Sequence, residues 1–183
     1  MNLYKYILLL IVSPHEGWKD INKYSIPNDV VMRSLFYPCL ALLAVTQFIP
    51  YYMGYNGGEL SAVIVAAMID FVKYFVGFFA ISCLLNGFFA DMFKSKVQVN
   101  KLNNFIAFCL IILAVFNILR NLMPGFPFFD IFPLYIIYVV FRGLGYLTIP
   151  EIRAKGFIAL ASLLLLLIPS GIKFVLNLLI PNM

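Results

Sequence analysis

The chain has 183 residues, 63% of them hydrophobic and 11% charged, with a net charge of +5. A soluble domain is roughly one quarter charged because a polar exterior has to cover its core; this composition excludes a free-standing globule and makes lipid the solvent. The basic residues stand singly between apolar runs and form no nucleic-acid footprint.

In hydrocarbon every peptide group must be paired within the protein, which leaves helices or a closed barrel. The long apolar runs lack the period-2 alternation of barrel strands. The sequence therefore predicts an all-α fold: a polytopic transmembrane bundle of about five spans, preceded by an interfacial N-terminal helix. In domain terms, residues 1–30 form an amphipathic juxtamembrane segment on the cytoplasmic side, and residues 31–183 form the five-helix transmembrane part.

Residues 1–12 carry an apolar run too short to cross, and no small-residue cleavage site follows it, so a helix lying on the membrane and stopped by Pro14 is expected. Glu16 to Asn28 is the most polar stretch, and Trp18 within it suits the headgroup region. The first span is expected over Val31 to Met53, closed by an aromatic belt (Tyr51, Tyr52, Tyr55) and a turn at Gly54–Gly58. The second lies within Leu60 to Ala90 and is interrupted by Asp70 and Lys73; the third is Leu102 to Leu122, ended by Pro124-Gly125-Phe126-Pro127. The fourth, Phe128 to Tyr146, requires Asp130 and Arg142 to reach opposite interfaces. The fifth is Gly156 to Ile180, bent at Pro169.

Orientation follows from the cations. With the N-terminus inside, ten of the thirteen basic residues (Lys5, Lys19, Lys23, Arg33, Lys94, Lys96, Lys101, Arg142, Arg153 and Lys155) fall on the inner side, against Arg120 near an outer loop, with Lys73 and Lys173 inside helices. The positive-inside rule then predicts a cytoplasmic N-terminus and an outer C-terminus.

The pattern Pro14-x-x-x-Trp18-x-x-Ile21 precedes the first span, and Tyr37-Pro38 lies inside it. Pro133-Leu134-Tyr135 and Tyr138 follow in the fourth, and Gly143-Leu144, Ile149-Pro150-Glu151 and Lys155 come before the fifth. In this order they resemble the YIP-domain family, polytopic proteins named for members that bind Ypt/Rab GTPases. The resemblance implies an all-helical bundle and, in eukaryotic members, roles in vesicle trafficking. The chain departs from those members in lacking a long polar N-terminal region and looks more like the compact bacterial type, for which the family implies architecture without a mechanism.

Asp70 and Lys73 are the sharpest polar feature. At i, i+3 they share a helix face and neutralise each other; unpaired, either costs about 2.5–3.5 kcal/mol at a helix centre. Arg120 and Asp130 flank the short connection between the third and fourth spans, and Asn117, Asn121 and Lys173 lie at comparable depth by residue count. Asp70 and Lys73 read either as an ion or proton site on a polar cavity or as a structural pair sealing the bundle. The candidate site as a whole, Asp70, Lys73, Asn117, Arg120, Asp130 and Lys173, reads either as a polar network in the outer half or as side chains that snorkel separately to the headgroups. Pro14, Trp18, Ile21, Tyr135, Gly143 and Pro150 are the candidate interfacial motif.

Cys39, Cys83 and Cys109 are too widely spaced for a disulfide framework or a zinc site, and His15 is the only histidine. No nucleophile elbow or phosphate-binding loop is present, so neither a cofactor nor a catalytic residue is expected. A membrane-organising or interaction role, with lipid and a protein partner or second copy as the contacts, is the first expectation. A small transporter or channel subunit using Asp70 and Lys73 is the second.

Overall fold

The structure, a computed structural model, describes residues 3–54 and 59–180; most of the turn expected at Gly54–Gly58 lies outside them. Two short helices come first, α1 (Tyr4–Val12) and α2 (Pro14–Tyr24). Pro14 both ends the first and opens the second, because a proline at a helix start lacks only an N–H that has no helical partner anyway. Five longer elements follow, each long and apolar enough to cross a membrane: α3 (Asn28–Tyr52), α4 (Leu60–Phe88), α5 (Lys96–Leu122), a fourth stretch over Phe128–Leu147, and α7 (Glu151–Leu179). The described residues contain no strand.

The irregularities of these helices trace to proline. In α3 a π turn over Met32–Phe36 precedes Pro38, whose ring would collide with the carbonyl one turn back; widening that turn relieves the clash. Ahead of Pro50, α3 breaks at Gln47 by tightening instead, the Gln47 N–H turning to the Ala44 carbonyl at 3.3 Å. The fourth stretch differs from the continuous helix expected over Phe128 to Tyr146. It starts as two 3₁₀ turns, Pro127–Asp130 and Phe132–Leu134, and only α6 (Tyr135–Leu147) is α-helical. Pro133 contributes, since it has no N–H to continue an α-helical ladder, and the bonds on either side of it are of the i→i−3 kind, Ile131 to Phe128 at 3.2 Å and Leu134 to Ile131 at 3.0 Å.

The central element is α5. Of its most apolar window 78% is buried, against 22–44% for the other four. Its start is fixed by a capping box, in which the Ser95 hydroxyl accepts from the Gln98 N–H and the Gln98 side chain accepts from the Ser95 N–H. Helices α3, α4 and α6 pack around it, while α7 packs mainly on α4. Rim positions such as Leu42, Met68, Leu167 and Phe174 stay apolar and exposed, the pattern of a surface that faces lipid.

The α1–α2 hairpin is built into the bundle, and this corrects the expectation for Trp18. Its indole does not face headgroups: it is 2% exposed, stacked on Phe105 and Tyr146 at centroid distances of 5.1 and 5.2 Å. Trp18 Nε1 donates to the Val139 carbonyl at 3.0 Å. The seat for the ring is Gly143, where an added Cβ would lie 3.2 Å from the indole and 2.4 Å from Phe105. The Tyr135 hydroxyl donates to the Ile11 carbonyl at 2.9 Å, tying α6 to the end of α1. Pro14 and Ile21 are buried in the same hairpin, so five of the six motif residues gather at the contact between the hairpin and α6. Pro150 stands apart, exposed, as the cap of α7.

Candidate functional site

The site lies toward the end of the bundle that carries the 123–127 turn, the distal end. Asp70 is the eleventh residue of α4, about 15 Å along the helix from Leu60 at 1.5 Å per residue. Its side chain is 3% exposed, and an unpaired carboxylate at that position would be costly. Three partners from three elements meet it. Lys73 Nζ, one turn further along α4, donates to Oδ1 at 2.5 Å. Gln47, at the break in α3, donates from Nε2 to Oδ2. Lys173 of α7 brings its ammonium to 3.7 Å from Oδ1. One buried anion thus fastens α3, α4 and α7.

Lys73 is as enclosed as its partner, 7% exposed in its side chain, and lies 5.0 Å from the centroid of the neighbouring Tyr74 ring, within the range of a cation–π attraction. The Tyr74 hydroxyl accepts a hydrogen bond from Asn117 Nδ2 of α5 at 2.5 Å. Deeper in the α3–α5 contact, Asn121 Nδ2 donates to the Thr46 hydroxyl at 3.2 Å. At the mouth, Arg120 Nε and Asp130 Oδ1 stand 3.3 Å apart, both more than half exposed. Here the predicted pairing across the 123–127 turn is present in space.

Two adjoining cavities receive these groups. One, of ≈220 Å³, lies among α4, α5, α7 and the 3₁₀ turns; its lining includes Lys73, Tyr74 and Ser170, with Leu113, Phe116 and Leu165 as an apolar wall. The other, of ≈630 Å³, is lined by Gln47, Asp70 and Asn121 under the 123–126 turn. Asn117, Arg120, Asp130 and Lys173 line both. All six residues of the predicted site therefore belong to one polar cavity system. Asp70 therefore borders a polar cavity while its own side chain stays buried.

Sequence reasoning missed Gln47, Tyr74 and Ser170. Gln47 carries a signal in retrospect, since a polar side chain three residues before Pro50 stands where the helix must break. Tyr74 reads as one more aromatic in an aromatic-rich helix. The three cysteines remain free thiols of differing burial, and among the described residues no group of three or more His, Cys, Asp or Glu is placed to hold a metal ion. His15 is exposed beside Glu16, 4.0 Å away.

No family model, curated protein or solved structure matches this chain. The cavity must be interpreted on its own chemistry.

Proposed function

We propose that this chain is a multi-pass membrane protein of the transporter or channel-subunit kind, with the Asp70-centred cavity as its ligand site. The single observation that carries this reading is that a buried carboxylate is shared by Lys73 and Lys173 from separate helices while its other face lines a polar cavity. A structural seal needs no cavity. Ionisable groups at membrane depth that border one mark a ligand or ion path by default. Five spans are few for such a device, so assembly of several copies belongs to the proposal. The orientation proposed is N-terminus inside, which puts the cavity on the outer half.

The test is reconstitution into liposomes with three probes: protons followed by an interior pH dye, inorganic phosphate, and a fluorescent anionic lipid scored by membrane-impermeant dithionite. Movement of one probe, lost in Asp70→Asn, is the expected result. Failure to move any of the three overturns the transport reading.

A membrane-organising role in the YIP-domain manner is the second reading, supported by α1. That helix buries Tyr6 and Leu10 against the bundle and exposes Tyr4, Leu8 and Val12, at four-residue spacing, on the opposite face. Such a face suits insertion between lipid headgroups. Pro14, Trp18, Ile21, Tyr135 and Gly143 packing as one unit supports the family assignment. A repeat partner on purification in mild detergent would favour this reading; a consistently solitary protein would count against it.

A further inference from the structure

We infer that the cavity takes an amphiphile, a single oxyanion head on a hydrocarbon chain, with the head among Arg120, Lys173 and Lys73 and the chain along a groove between α6 and α7. The inference rests on the reading of the cavity as a ligand site and names its occupant.

The head is assigned by charge. Three cations (Lys73, Arg120, Lys173) line the cavity system against two carboxylates, Asp70 and Asp130. Asp70 already accepts from Gln47 on one oxygen and Lys73 on the other, so a cationic ligand would have to compete with Lys73 and Lys173 for it. The donors are less committed. Arg120 meets Asp130 through Nε, which leaves its Nη donors for a ligand among the described residues. Lys173 reaches Asp70 only at 3.7 Å, beyond a hydrogen bond. A fork of guanidinium donors beside an ammonium matches the geometry of a phosphate or carboxylate.

The chain is assigned by continuity. A third, mostly apolar groove of ≈380 Å³ lies between α6 and α7, lined by Ile137, Ile158, Ala159, Leu163, Leu166 and Leu167 with Ser162 as its one polar residue. Leu166 also lines the charged cavity. On α7 the positions Ala159, Leu163, Leu166, Ser170 and Lys173 follow at spacings of three and four, so they form one stripe leading from the groove to the ammonium. From Ala159 to Lys173 the stripe rises fourteen residue steps, about 21 Å, more than one leaflet of a hydrocarbon core about 30 Å thick. Hydrocarbon at one end and cations at the other, on one helix face, fit neither a free inorganic anion nor an uncharged lipid.

The experiment titrates the full chain in mild detergent with a monoacyl phosphate, the matching neutral monoacylglycerol and inorganic phosphate, scoring binding by native mass spectrometry and by the shift in unfolding temperature. The monoacyl phosphate should bind at least tenfold tighter than either other probe. Arg120→Gln and Lys173→Gln should each weaken it about fivefold; both side chains are about half exposed, so the fold should survive their loss. Ala159→Phe, at an exposed groove position, should weaken the monoacyl phosphate and leave inorganic phosphate unchanged. If inorganic phosphate binds as well as the amphiphile, the groove has no part and the inference fails while the cavity stands as an anion site. Equal binding of the neutral lipid overturns the assignment of the head. If no probe binds to a folded protein, this inference fails, while proton movement lost in Asp70→Asn would leave the reading of the cavity as an ion site standing.

Discussion

The Asp70 carboxylate and the Lys173 ammonium stand 3.7 Å apart although 103 positions of chain separate them. The contact closes a ring of elements in which α4 already presents Lys73 to the same carboxylate, so the second and last spans share one charge. A pair that only neutralised itself would be complete with Lys73. The additional cation, half exposed at the cavity, makes Asp70 a junction between α4, α7 and the cavity.

Removing the carboxylate of the buried pair alone should cost far more than removing both members. Asp70→Leu strands the enclosed Lys73 without its anion and should destabilise the protein by about 3–5 kcal/mol, while Lys73→Met leaves Asp70 with Gln47 and Lys173 and should cost less. The double variant Asp70→Leu/Lys73→Met should recover most of that loss, because replacing a buried pair by apolar groups of similar volume is often neutral. Lys173, nearer solvent, can turn outward. Reversible unfolding in mixed micelles with increasing dodecyl sulfate measures the cycle. Additive losses in the double variant would show that the two charges do not depend on each other.

Arg120 and Asp130 provide the contrast. The pair is chemically similar, but both side chains are more than half exposed. Arg120→Gln and Asp130→Asn should each change stability by about 0–1 kcal/mol, with little dependence on which partner is removed. The same unfolding assay checks this, and a loss near that of Asp70→Leu would mean the mouth of the cavity is structurally essential.

How much of this was visible before the structure depends on whether a feature is set by local spacing. Asp70 with Lys73 is an i, i+3 relation, and Arg120 with Asp130 follows from a short connection. The arrival of Lys173 could be counted from helix depth but not aimed, because residue counting gives depth and leaves rotation about the helix axis open. Gln47 was hidden for a related reason: its reach to Asp70 depends on how the α3 break turns it. Trp18 was misplaced because an indole at the edge of an apolar segment fits a headgroup anchor and a buried plug equally well. What decides is Gly143, 125 positions away, whose missing side chain makes the seat.

Trp18 is the only tryptophan, so its emission reports the hairpin directly. The native protein should emit at short wavelength and resist quenching both by acrylamide and by lipids brominated near the headgroup. Trp18→Ala should destabilise the fold by about 3–5 kcal/mol, the cost of emptying a large buried aromatic site. Strong quenching by headgroup-brominated lipid in the folded protein would return the indole to the membrane surface and separate α1–α2 from the bundle.

Two glycines at helix contacts should respond in opposite ways to the same substitution. At Gly143 an added Cβ would fall 2.4 Å from a carbon of the Phe105 ring, which is itself fully buried and stacked under Trp18. The ring cannot yield without displacing the indole, so Gly143→Ala should cost about 1–3 kcal/mol and shift the Trp18 emission to longer wavelength. At Gly77 the added Cβ would meet Pro169 Cγ at 3.6 Å and Ile168 and Ile172 at 3.9 Å, ordinary van der Waals separations. There the substitution fills space between α4 and α7, and alanine's better helix propensity, worth about 1 kcal/mol in a helix interior, should make Gly77→Ala neutral or slightly stabilising. Gly77→Leu, by contrast, should force α4 and α7 apart and weaken the contact between Asp70 and Lys173. Unfolding midpoints for the three variants, with Trp18 fluorescence recorded on each, test the set. A Gly77→Ala variant as damaged as Gly143→Ala would mean that α7 sits closer to α4 than the structure places it.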